Sequence, residues 1–164
     1  MHPINAVPHR PEQLARETLV RYLELCDVPR SADATGRIQD LFTQDAVWEG
    51  VGPLYSARFG RATGREAIAA MVSSHLPPSP QFQANVHLLH PGTIMADDGE
   101  VRGRWLMQQL SRYGSGEAEL VVARLALVFR VDTGRGEALI SRFRTERIFE
   151  TALASAADGT QVTA

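Results

Sequence analysis

The sequence predicts an α+β domain in which three N-terminal helices pack in the concave face of a curved antiparallel sheet, a cone-shaped α+β barrel. Three observations carry this reading. Apolar residues recur at helical spacing in segments that end near residue 75. Beyond residue 80 the chain reads as four long extended segments, 82–96, 99–112, 117–131 and 137–149. These are separated only by "DDG" (97–99), "GSG" (114–116) and "DTGRG" (132–136), which are hairpin signals. Short connections between long strands make an antiparallel meander. A sheet of that length curling around helices leaves a conical pocket between the two layers, a usual place for a small molecule.

Taken in order, residues 1–10 hold two prolines without periodicity and read as an arm. Pro11 suits a first helical turn, where its missing N–H does no harm. Leu14, Thr18, Leu19, Tyr22, Leu23 and Cys26 then share a helical stripe, giving a helix over about 11–27 that Pro29 closes. Ser31 or Asp33 caps a second, shorter helix ending near "IQDLF". "DAVWEGV" is β-branched and aromatic and reads as a short strand, and 52–63 as a loop with some extended pairing. The third helix is "GREAIAAMVSSH" (64–75), stopped by "PPSP". One domain therefore spans 11–150, and the small, polar residues of 151–164 read as a flexible tail.

Composition narrows the function. Apolar residues make up 44% and charged residues 22%, with a net charge of −2 and the arginines scattered. That gives no electrostatic support for a nucleic-acid partner. No apolar run reaches the roughly 18–20 residues that span a bilayer, and the N-terminus lacks a secretory pattern. The single cysteine, Cys26, excludes an internal disulfide, and the cytoplasm is the expected location. The histidines are dispersed and there is no Cys pair or H-E-x-x-H, so no metal site is expected. Gly-rich phosphate loops, a Ser nucleophile elbow and a reactive-Cys motif are also missing, and no cofactor is expected.

Three stretches add a resemblance. "LFTQDAVWEG" (41–50), "ATGREAIAAMV" (62–72) and "DDGEVRGRW" (97–105) resemble, in that order, the helix-to-strand transition, third-helix entry and hairpin of the SnoaL-like branch of the nuclear transport factor 2-like superfamily. That branch comprises polyketide cyclases, dehydratases and isomerases. The likeness covers roughly residues 11–150 and implies the fold more sharply than the reaction. Bile-acid and scytalone dehydratases of the superfamily are similar in carrying a helix-one Tyr, a nearby Asp and a strand His. The resemblance places Tyr22, Asp27 and His87 in those roles. It also implies a homodimer and a last-strand arginine two or three positions after an Ile, which Arg142 matches after Ile140.

The residues can be weighed on their own physics. On a continuous helix, five positions separate Tyr22 and Asp27 by about 140°. Val28–Pro29 unwinds the helix end, so Asp27 is free to turn toward the pocket and meet a strand imidazole. A carboxylate on one ring nitrogen fixes the tautomer and makes the other a better base near neutral pH. Tyr22 would then donate to an oxygen on which charge develops. Arg142 suits a carboxylate, phosphate or enolate, Gln109 a substrate oxygen, and Trp48, Tyr55 and Trp105 the pocket wall. Each also has a plain structural reading: a solvated helix end for Asp27, a core tyrosine, a satisfied sheet histidine, a surface arginine. Cys26 beside Asp27 makes a poor thiolate, because adjacent negative charge raises its pKa.

One departure separates the chain from the bile-acid type. The strand after the histidine reads "WLMQQLS", with no second acid, and "RLALVF" lacks the Tyr and Asp common there. Epoxide hydrolysis, which wants two carboxylates around a water, is disfavoured. Two functions stay open: a cofactor-independent dehydratase, isomerase or cyclase acting on a hydrophobic cyclic or carbonyl compound, and a non-catalytic ligand-binding or accessory domain.

Overall fold

A computed structural model describes residues 10–154, so residues 1–9 of the expected arm (1–10) and residues 155–164 of the expected tail (151–164) lie outside the described residues. Helix α1 (Pro11–Cys26) opens with proline in its first turn. It buries Leu14, Ala15, Leu19, Tyr22, Leu23 and Leu25 against the sheet. Thr18 fixes its height: Oγ1 lies 2.8 Å from the carbonyl oxygen of Ala138, in the last strand, and 3.0 Å from that of Leu14.

The second helix is not where the sequence reading put it. Between α1 and the first strand only one 3-10 turn forms, Ile38–Leu41, after Gly36 at φ 95° has interrupted the chain. Strand β1 (Phe42–Val51) follows directly. Helix α2 is Gly52–Arg58, inside the segment expected to be a loop. Its proline sits in the first turn, where proline begins a helix rather than ending one. Strand β2 (Arg61–Thr63) and helix α3 (Arg65–Ser73) complete the first half.

The second half is the predicted run of extended segments: β3 (Phe82–Leu89), β4 (Thr93–Asp97), β5 (Glu100–Tyr113), β6 (Ala118–Asp132) and β7 (Glu137–Leu153). β3 and β4 both pair antiparallel with β5. They are one edge strand broken at "HPG" (90–92). Gly92, at φ 68°, is required there: a Cβ would come within 2.2 Å of the Trp105 ring. β7 runs three residues into the stretch expected to be tail.

The seven strands form one curved sheet in the order β2-β1-β7-β6-β5-β3, with β4 on β5. It is mixed rather than wholly antiparallel, because β1 pairs parallel with β7. It also stays open, so the cone is a curled sheet and not a closed barrel. The core lies between its concave face and α1 and α3, centred on the fully buried Leu19, Leu25, Phe42, Ile68, Phe129 and Ile140.

Candidate active site

The end of α1 decides the site. The helix stops at Cys26, and Asp27 takes an extended backbone, φ −71° and ψ 147°. Val28 then forms a two-residue antiparallel bridge with Asn85 of β3: each backbone N–H reaches the other's carbonyl at 2.8 Å. The chain leaving the helix thus becomes one more rung on the sheet edge. That turns Asp27 toward β3, where its Oδ1 lies 2.8 Å from His87 Nδ1 and accepts the His87 backbone N–H at 3.1 Å. The His87 side chain is 8% exposed and that of Asp27 24%.

Asn85, two residues before His87, holds the bridge from behind. Its buried side chain donates to the carbonyl of Cys26 at 3.3 Å. Its Oδ1 accepts from Gln109 Nε2 and from Ser111 Oγ, each at 2.8 Å. The sequence reading did not single out Asn85. The signal available was period two: Asn85 shares the inner face of β3 with His87.

His87 stands where two adjoining lobes of a cavity meet. One, of about 120 Å³, is also lined by Arg58, His75, Tyr113 and Arg147; the other, of about 90 Å³, by Leu23, Met107, Leu125 and Phe143. Tyr22, Trp48, Tyr55, Phe59 and Gln109 line both. Trp48 Nε1 donates to the Tyr22 hydroxyl at 3.2 Å, and the Cys26 side chain lies within hydrogen-bonding reach of the same hydroxyl. Burial pushes the Tyr22 hydroxyl well above its usual pKa, so it is a neutral phenol. Burial likewise pushes the Cys26 thiol up to about 12, with Asp27 a smaller cause than the sequence suggested. Among the described residues, no three of His, Cys, Asp and Glu gather as metal ligands.

The model of the SnoaL-like domain matches residues 15–144. The chain belongs to the SnoaL-like domain family. Solved structures share the fold of this SnoaL-like chain. A hexachlorocyclohexane dehydrochlorinase, LinA type 2, aligns with TM-score 0.68 at 15% identity over 92% of this chain and 93% of that one. A protein assigned as a scytalone dehydratase from Novosphingobium aromaticivorans aligns with TM-score 0.67 at 15% identity, covering 93% of each chain. An NTF2-like protein with a cystatin-like fold from the same organism gives 0.62 at 21% identity, over 90% of this chain and 85% of that one. No curated protein matches the sequence.

The SnoaL-like chain brings together Tyr22, Asp27, His87, Gln109, Trp48 and Tyr55, but two expected residues fall elsewhere. Arg142 is on the convex face, beside Asp45, Glu100 and Arg102. The reason is a β-bulge: Phe129 pairs with Ile140 but Val128 pairs with Arg142, leaving Ser141 as an extra residue. Period two read from Ile140 is therefore inverted, and Phe143, Thr145 and Arg147 point inward in its place. Trp105 is 3% exposed and packs edge-on to Phe129 in the core, outside the lining of both lobes.

Proposed function

We propose that the protein is a cofactor-independent acid–base enzyme, a dehydratase, isomerase or cyclase, acting on a small hydrophobic cyclic or carbonyl compound. The observation that carries this is the 2.8 Å contact between Asp27 and His87 at the wall of a cavity rich in aromatic side chains. Asp27 holds the proton on Nδ1, so Nε2 is the basic nitrogen left to the cavity. There it takes a proton from the carbon beside a carbonyl. The C–H pair moves into an enolate, and the neutral Tyr22 phenol donates to the oxygen that gains charge. In elimination, a new C=C forms and hydroxide leaves with the proton His87 has collected. In isomerisation, that proton returns to a different carbon.

Two of the fold neighbours are named for removing hydrogen chloride and water, which agrees in kind with this chemistry. The lobes, at about 120 and 90 Å³, suit a single small ring rather than the 300–1,000 Å³ of a drug-sized site. A ligand carrier is the second reading, favoured by one observation: no acid lines either lobe among the described residues. Cytoplasmic location fits the single, buried, unpaired cysteine. Homodimerisation through the convex sheet face fits the exposed Val86, Leu88, Leu106, Leu110 and Phe149.

The test is α-proton exchange. Small cyclic ketones and β-hydroxy ketones are incubated with the protein in D₂O and followed by proton NMR. Wild type should speed exchange or elimination, and His87→Ala should slow it at least ~10²-fold. Exchange unchanged in His87→Ala rules out His87 as the base. Tight binding of a panel member without exchange in any variant supports the carrier.

A further inference from the structure

The acid–base reading identifies the cavity as the substrate site and leaves open what chemistry the substrate brings. We infer that the substrate carries a carboxylate, and that Arg147 is the residue that anchors it. Two guanidinium groups, Arg58 and Arg147, line the lobe beside His87, and no Asp or Glu lines it among the described residues. The wall therefore offers positive charge at one end of an apolar chamber, where electrostatic attraction is stronger than in water.

Arg147 is built into that wall. Its side chain is 11% exposed, and its Cζ lies 5.0 Å from the centre of the Tyr55 ring. Nη1 is held by Glu150, a half-exposed carboxylate outside the cavity lining. Nε is buried and has no acceptor among the described residues. The guanidinium is thus held by Glu150 and neighboured by the Tyr55 side chain, while Nε, on the edge a carboxylate takes with two parallel hydrogen bonds, is unmatched. A buried donor without a partner calls for one. Tyr113, on the same lobe, donates its hydroxyl to Glu119 and makes no hydrogen bond to Nε. A carboxylate at this edge leaves the attached ring to the apolar wall of Phe59, Leu76 and Phe82, within the lobe that His87 also lines.

Titration calorimetry with benzoate and with benzamide, matched in shape and differing in charge, tests the anchor. Wild type should bind benzoate at least ~10-fold tighter than benzamide at pH 7. In Arg147→Gln the preference should fall to within about twofold, with benzamide affinity unchanged. Glu150→Gln, which keeps the arginine and removes its competing carboxylate, should tighten benzoate binding. His87→Ala should keep the benzoate preference, so exchange unchanged in His87→Ala with the preference intact sinks the base and spares the anchor. Equal affinities in wild type, a preference that survives Arg147→Gln, or weaker benzoate binding in Glu150→Gln overturns the anchor. Should Arg147→Gln fail to fold, the wild-type ratio and Glu150→Gln decide it.

Discussion

Asn85 is the residue on which the geometry of the site turns. It bonds the end of α1 through its backbone and its side chain, and it links Gln109 and Ser111 to that end. Removing its amide strands those donors and frees Asp27 to move. Asn85→Ala should lower the rate of α-proton exchange ~10-fold or more with little change in ligand affinity, and should cost roughly 1–3 kcal/mol of stability in urea unfolding. A loss of stability with the exchange rate intact would limit Asn85 to the fold. Cys26 gives a second prediction. The folded thiol keeps its proton to about pH 12 while the unfolded one releases it near 9, so the folded state binds more protons above pH 9. Stability must then fall as pH rises through that window. Between pH 9 and 10.5 wild type should lose about 1.5 kcal/mol more than Cys26→Ala, by urea unfolding at each pH. Equal losses would contradict the buried-thiol account. The residues legible beforehand were those whose chemistry is unusual in place. An acid at a helix end with a proline two residues on allowed Asp27 to turn toward the pocket, and the family resemblance supplied His87 as the imidazole it could meet. Asn85 was illegible because a buried asparagine announces itself only through its partners.

At the scale of elements, loop chemistry decided what the sequence disclosed. The three hairpins were legible because DDG, GSG and DTGRG leave the backbone few alternatives. α2 was not, because Gly-Pro marks a helix start as well as a turn. The bulge at Ser141 left no trace, since nothing in "ISRFR" differs from an unbroken strand. It nevertheless chooses which arginine enters the cavity. Deleting Ser141 should remove the bulge and leave Arg142 outward with Phe143 and Thr145 still inward on a regular strand, so the variant should stay folded by circular dichroism. A deletion variant that unfolds would refute the bulge as the source of the parity. Gly103 shows the same dependence on packing: a Cβ there would lie 2.0 Å from the Trp105 ring, buried beneath it. Gly103→Ala should lower stability by about 1–3 kcal/mol, the range for overpacking.

Across the whole molecule, the two faces of one sheet do different work. The concave face, closed by α1 and α3, holds the core and the cavity. The convex face carries exposed Val86, Leu88, Leu106, Leu110, Ile148 and Phe149 among arginines, and no helix of the described chain is long and apolar enough to cross a membrane. An apolar stripe of that kind fits the proposed homodimer. Light scattering should give twice the chain mass, and Leu106→Glu with Phe149→Glu should halve it; a wild-type monomer would contradict the dimer. The fold class was legible at this scale because helices followed by hairpins admit few packings. The parallel β1–β7 pairing was not, because it joins strands from opposite ends of the chain.

All of the chemistry above depends on the state of one imidazole, and nitrogen-15 NMR of the histidine ring reads it directly. The account predicts that His87 at neutral pH carries its proton on Nδ1, with Nε2 unprotonated, and that Asp27→Asn disturbs this tautomer. A His87 found with its proton on Nε2, indifferent to Asp27→Asn, would contradict it.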